Sequence, residues 1–406
     1  MASPITYPIA KPSRRLFSLF CLASYLLSMA YGSTFLLALL ISNHGGNEKD
    51  AGSVISAAMI STFIAVVFSG HLCDRLGAAR SIALCGIALV IANIGFAVSA
   101  NQLHLMMLFG LVLGVGWGVF YTLGPIIVAM IVEPAQRARY FALLSGSMMS
   151  GIGSAPLLGR LATHSGLPVS SAFFMSALAS VVGVMLFGRM ARDLNRLPDR
   201  SGAVASKLSR AGAVAVLRSK AVFAIVMVGL GGAIFGGLSS FQTRYAHDHA
   251  LDYSLFFIGF MSAAIAARML VAGIVVRRDP YVMACLLSGL IVVSILMFQY
   301  VVASSLGYLL AATVLGVGYG LTYSVINGLA ANEAPAGTMT QSLLLFSLAY
   351  FIGVFGFPLL AGKVIVESGM SVMLTILLGV AMVNWLITVG RLVWRRNAVS
   401  TRPLEG

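Results

Sequence analysis

Apolar runs long enough to cross a bilayer, each closed by Gly, Pro, Asn or charge, follow one another along nearly the whole chain. Twelve spans are predicted, over 16–41, 51–71, 81–100, 103–130, 140–161, 167–188, 221–243, 255–276, 281–303, 308–330, 338–366 and 371–394. An even number returns the chain to the side on which it began. Two polar stretches stand out between them. The shorter, Gly70 to Arg80, reads as a hairpin at a membrane face. The longer, 189–220, is a linker that separates a bundle over 1–188 from one over 221–406, and its stretch from Ala203 to Leu217 has the pattern of an amphipathic surface helix.

Composition agrees with a membrane chain and narrows the partners. Of 406 residues 59% are hydrophobic and 9% charged, against roughly 25% charged in a soluble domain. The net charge of +14 does not form a nucleic-acid surface, because the basic residues gather in loops on the side holding the termini, among them Arg14, Arg15, Arg75, Arg80, Arg139, Arg189 and Lys220. That bias predicts a multi-pass protein of the cell membrane with both termini cytoplasmic. The first apolar run is too long for a signal peptide and reads as a span. Cys21, Cys73, Cys85 and Cys285 have neither metal spacing nor an oxidising location, so no disulfide is predicted.

The two sets of six spans repeat each other. Leu113-Gly114-Val115-Gly116-Trp117-Gly118-Val119-Phe120-Tyr121 precedes Pro156-Leu157-Leu158, as Leu315-Gly316-Val317-Gly318-Tyr319-Gly320-Leu321-Thr322-Tyr323 precedes Pro358-Leu359-Leu360. The offset is 202 throughout, since 316 − 114, 323 − 121 and 358 − 156 agree. The hairpin itself reads Gly70-His71-Leu72-Cys73-Asp74-Arg75-Leu76-Gly77-Ala78-Ala79-Arg80. This G-x-L-x-D-R-x-G-x-x-R pattern resembles the loop between the second and third helices of major facilitator superfamily transporters. Ala78 departs from it, standing where the family usually has a basic residue. The resemblance covers nearly the whole chain and implies an all-α membrane fold of twelve helices in two pseudo-symmetric bundles. It also implies a substrate site at the bilayer midplane, alternating access and a monomer. Gly70, Asp74, Arg75, Gly77 and Arg80 are then conformational elements, with Asp74 placed near Thr338 at the start of helix eleven.

Candidate chemistry is sparse. Arg268 is the one strongly charged residue well inside a span, where insertion scales put its cost at roughly 2.5–3.5 kcal/mol, so it needs a partner or a wet cavity. A guanidinium suits a carboxylate or phosphate of a substrate; the alternative is a structural arginine bonded to backbone carbonyls or to Asp279. Ala65 is read as its repeat counterpart, which gives no paired arginine. All twelve acidic residues fall at span ends or in loops, so the proton coupling expected from the family has no mid-depth carboxylate. Coupling sites would be Asp74, Glu133 or Glu333, or the outer cluster Arg244, His247, Asp248, His249 and Asp252. Glu133 and Glu333 end helices four and ten in corresponding places and are read as inner gate elements.

In helix five, Gly151, Pro156 and Gly159 match the G-x-x-x-G-P-x-x-G-G motif of the family's drug-exporting antiporters, with Ala155 and Arg160 replacing glycines. Export is the direction this supports. Helix four carries Gly110 where many proton-coupled exporters have arginine. Helices one, four, seven and ten border the cavity in this family, so Tyr25, Tyr31, Phe35, Trp117, Tyr121, Phe235, Phe241, Gln242, Tyr319, Tyr323 and Asn327 are the expected aromatic and polar lining.

The expected function is export of a small amphipathic organic compound, of which a carboxylate-bearing one is the kind that Arg268 suits, with membrane lipid and protons as further partners. Uptake of a small organic anion uses the same residues. An enzyme would need a nucleophile elbow, a zinc motif or a carboxylate pair inside a span, and none is present. With no Walker motif, energy must come from a gradient; no cofactor or metal is predicted. A receptor or scaffold without transport is the remaining class.

Overall fold

The computed structural model describes residues 14–132, 137–196, 209–271 and 278–400. Among these, eleven helices are long and apolar enough to cross a bilayer, and a shorter apolar helix covers Ser254–Leu270. In chain order they are α1 (Arg14–Ser42), α2 (Glu48–Leu76), α3 (Ala78–Val98), α4 (Leu103–Ile131), α5 (Arg137–His164) and α6 (Ser170–Arg196). There follow α7 (Ala221–Ser240), α8 (Ser254–Ala266, continued by a π turn over Ala267–Val271), α9 (Pro280–Tyr300), α10 (Ser305–Asn332), α11 (Met339–Ser368) and α12 (Met370–Ser400). The linker contributes one helix, Arg210–Leu217, capped by Ser209 and docked on α11. The stretch 203–208 of the predicted surface helix lies outside the described residues.

Helix ends that meet define two faces. Arg395 of α12 pairs with Asp279 at the start of α9 (2.7 Å), Lys220 sits 4.5 Å over the Trp394 ring, and Phe17 of α1 meets Tyr140 of α5. This is the near face, where the described chain begins and ends; the other is the far face. On the far face Asn47 starts α2 with a capping box, its side chain accepting from the amides of Lys49 and Asp50 while the Asp50 carboxylate accepts from the Asn47 amide.

The hairpin between α2 and α3 is tighter than its polarity suggests. Gly70, Asp74 and Arg75 belong to the last turns of α2, and Arg80 to the first turn of α3. Only Gly77 is non-helical, with φ +80°, a conformation that excludes most side chains. Charge does not end α2 at residue 71, because a helix that emerges from the bilayer keeps its hydrogen bonds and simply changes solvent.

Packing makes the duplication physical. A Cβ on Gly114 would lie 2.3 Å from the Ala58 carbonyl oxygen, and one on Gly316 would lie 2.3 Å from that of Phe260. Gly118 packs on Thr62 as Gly320 packs on Ala264. Each pair is related by 202, so α2–α4 and α8–α10 cross in one register, with small residues letting backbones touch. The same register corrects the counterpart of Arg268, since 268 − 202 gives Val66, not Ala65. Both are apolar, and the absence of a paired arginine stands.

Within each set of six helices a second seam is closer still. Cβ atoms built on Gly32 and Gly151 would lie 2.1 Å from the carbonyl oxygens of Ile152 and Tyr25, joining α1 to α5. Gly353 stands in the same relation to Gly229 (2.0 Å), joining α11 to α7. Gly159 accommodates Leu36, and Pro156 lies inside an unbroken α5.

Candidate substrate site and gates

Arg268 is held by the π turn that continues α8, a feature frequent at functional sites. Its side chain is 8% exposed and reaches two other helices. Nε donates to the Gly320 carbonyl of α10 (3.0 Å), and Nη1 donates to Ser145 Oγ of α5. The guanidinium lies 5.7 Å from the Tyr323 ring. No described carboxylate pairs with it, and Asp279 is taken by Arg395.

Beside it, the repeat-related Tyr121 of α4 and Tyr323 of α10 meet, their hydroxyls 2.6 Å apart. Tyr121 also stacks on Tyr350 (5.7 Å) and meets Phe351 edge-on (5.0 Å). Towards the far face the other predicted aromatics form a sealed plug. Tyr31 stacks on Trp117 (4.5 Å), Phe35 packs on Phe235 and Phe257, and Phe235 stacks on Tyr319 (5.3 Å). Tyr31, Phe35, Trp117, Phe235, Phe241 and Tyr319 are all buried.

The polar candidates divide. Asn327 is half-buried on the near-face side of Tyr323. Gln242 is fully buried but turned away, accepting from the Tyr308 hydroxyl (2.6 Å), because the helix breaks at Phe241 and re-aims the next turn. Tyr25 donates to Ser154 within the first six helices. Sequence reading missed Ser145, Tyr350, Phe351 and Phe257, whose residue types are ordinary in any span.

At the far face the two sets of helices are locked together. Glu48 on α2 accepts from Arg244 after α7 (2.9 Å), Arg244 also holds Asp248, and Arg160 of α5 donates to Asp252 before α8 (2.7 Å). Ser56 donates to the Phe355 carbonyl of α11 (2.5 Å), and Gly52 and Gly362 bring α2 and α11 into backbone contact. At the near face no described ion pair joins the two sets. Asp74, Arg75 and Arg80 are exposed, and no described contact joins Asp74 to Thr338. Glu333 is instead bound within the last six helices, by Arg391 of α12 and Tyr281 of α9. Glu133 lies outside the described residues. Among the described residues the ion pairs between the two sets lie at the far face, and Arg268 makes its bond between them at mid-depth.

The family follows from direct comparison. The Major Facilitator Superfamily model matches residues 17–358. The chain belongs to this superfamily. Its fold is similar to the human organic anion transporter TETRAN (17% identity, 93% of this chain and 100% of that one, TM-score 0.68). It is also similar to the nucleoside transporter NupG (15%, 92% and 99%, 0.69) and to the transporter FucP in its outward conformation (16%, 92% and 98%, 0.64). No curated protein matches it by sequence. The protein is therefore a multi-pass membrane transporter and not an enzyme.

The far-face lock has a defined pH response. Burial pushes the Asp252 carboxyl up, but hydrogen bonds from Arg160 and from Ser254 outweigh it and hold the group below the usual carboxylate range. A carboxyl depressed in the closed arrangement supports closure above its ordinary pKa and ceases to as pH falls through the depressed one. Closure should therefore be flat between about pH 5 and 8 and loosen only below about pH 4. Spin labels at Asn43 and Ala303 read it. The background is His247→Gln, because His247 Nδ1 lies 3.7 Å from Asp248. A distance change centred near pH 6 would contradict this.

Proposed function

We propose that this transporter exports a small amphipathic organic anion, with its charged group on Arg268 and its apolar body against Tyr121, Tyr323 and Tyr350. The observation that carries the reading is a mid-span guanidinium with no carboxylate partner among the described residues, bordered by aromatic rings. A cation at that depth is tolerated where a ligand or water completes its hydrogen bonds. TETRAN, an organic anion transporter by name, lends the substrate class support at the level of fold. The helix-five motif with Gly151, Pro156 and Gly159 supports export, and the basic near face supports cytoplasmic termini. Transport then proceeds by rocking the two bundles, 1–188 and 221–406, about the site, driven by an ion gradient.

The test compares benzoate with neutral benzamide on purified wild type and Arg268→Gln, by thermal stabilisation and by counterflow in proteoliposomes. Loss of a charge-assisted hydrogen bond, about 1.5–3 kcal/mol, predicts benzoate affinity reduced about 10- to 150-fold in the variant and benzamide unchanged. Equal benzoate binding by both forms would remove Arg268 from the site.

A further inference from the structure

Arg268 does two things at once. It sits on α8 of the last six helices, yet one of its donors is spent on Ser145 of α5, in the first six. That bond ties the two sets together, and among the described bonds and ion pairs that cross between them it lies nearest the near face. Its other bond, Nε to the Gly320 carbonyl, stays within the last six helices and aims the guanidinium.

We infer that Ser145 is an intramolecular competitor for the anion site, a positioning residue whose hydroxyl occupies Arg268 in the empty carrier and is displaced when substrate arrives. The inference rests on the anion reading above and deepens it. A carboxylate is a far stronger acceptor for a guanidinium than a serine hydroxyl, and it takes a forked pair of N–H donors where the hydroxyl takes one. In this inference the carboxylate takes Nη2 together with the Nη1 N–H that Ser145 now accepts, and so breaks the Ser145 bond. The same event removes the mid-depth tie between α5 and α8 and leaves the Arg160–Asp252 pair to hold them at the far face. Substrate binding and release of the latch become one step.

The repeat shows that the device is single. Ser145 has a counterpart, Ser347, at the offset of 202, but the guanidinium has none, because Val66 stands at the repeat position of Arg268. Only the α5–α8 side has both hydroxyl and arginine. The hydroxyl costs affinity, since part of the substrate's binding energy goes to breaking a bond already made. In return, an empty carrier keeps its two sets joined at mid-depth.

Ser145→Ala separates these roles. In the purified full chain, benzoate should bind Ser145→Ala about tenfold more tightly than wild type, because no protein hydrogen bond is lost on binding. Ser145→Thr, which keeps the hydroxyl, should return to the wild-type value. In the Arg268→Gln background, Ser145→Ala should have no effect, a non-additivity that loosened packing would not produce. Unchanged or weaker benzoate binding by Ser145→Ala, with Arg268→Gln still defective, would overturn the latch and leave the anion site standing. Benzoate binding that ignores Arg268→Gln, or absent from every form, would overturn both.

Discussion

Glu333→Ala is expected to cost about 3–5 kcal/mol of stability, the loss associated with stranding one member of a buried ion pair. Glu333 and Arg391 are 9% and 10% exposed, and the guanidinium lies between the Phe223 and Tyr281 rings at 5.2 and 5.0 Å. Glu333 closes α10, Tyr281 opens α9 and Arg391 belongs to α12, so one carboxylate fastens three helices at the near face. Removing it leaves Arg391 caged by rings with no counter-charge. Glu333→Ala combined with Arg391→Met should recover most of the loss, because an apolar chain of similar length fills the site and no charge remains to be satisfied. Thermal unfolding in detergent checks both. If the single variant loses less than about 1 kcal/mol, or the double variant falls further, the pair does not staple these helices.

The same geometry changes the meaning of Glu333. Its sequence position, one residue past α10 and matched by Glu133 after α4, suggested a gate facing the other six helices. What it meets instead is its own side of the molecule, and a carboxylate already held by Arg391 and Tyr281 has little to offer across an opening. A contact of that kind rigidifies the body that rocks. Under the proposed rocking, near-face contacts that form on closing come from elsewhere, and exposed Asp74 and Arg75 at the end of α2 have no bonded partner among the described residues.

Much of this molecule was legible because a bilayer imposes a simple rule on long apolar runs, and because duplication doubles every signal. The succession of spans, the turn at Gly77 and the repeat relation of Tyr121 to Tyr323 all follow from spacing. Arg268 stood out because charge in an apolar run has few permissible settings. The far-face pairs did not: Arg244 reaches Glu48 across 196 positions, and nothing local in either residue specifies the other. Ser145 is one of many helical serines until a guanidinium is seen on it. Gln242 was misread for the opposite reason, since its place on a continuous helix seven was inferred and the break at Phe241 turned it towards Tyr308. The π turn under Arg268 leaves no compositional trace at all.

Two glycines with nearly identical surroundings should respond in opposite ways to the same substitution. A Cβ on Gly52 would lie 2.2 Å from the Pro358 carbonyl oxygen, and one on Gly151 would lie 2.1 Å from that of Tyr25. Both clash with backbone, which cannot swing aside, and leucine suits either helix by propensity. The difference is what the clash opposes. Gly151 and Tyr25 lie on α5 and α1, in the same set of six helices, so no rocking relieves it, and Gly151→Leu should unfold or fail to assemble. Gly52 and Pro358 lie on α2 and α11, one in each set, and meet where the far face is shut. Opening that face separates them, so Gly52→Leu should keep its fold and shift the balance towards the far-face-open arrangement by about a hundredfold, ~2.8 kcal/mol. Labels at Asn43 and Ala303 should then report a longer distance in Gly52→Leu at an almost unchanged unfolding temperature. A wild-type distance with a lowered unfolding temperature would mean that α2 and α11 bend to absorb the leucine, and that their seam belongs to the fold and not to the gate.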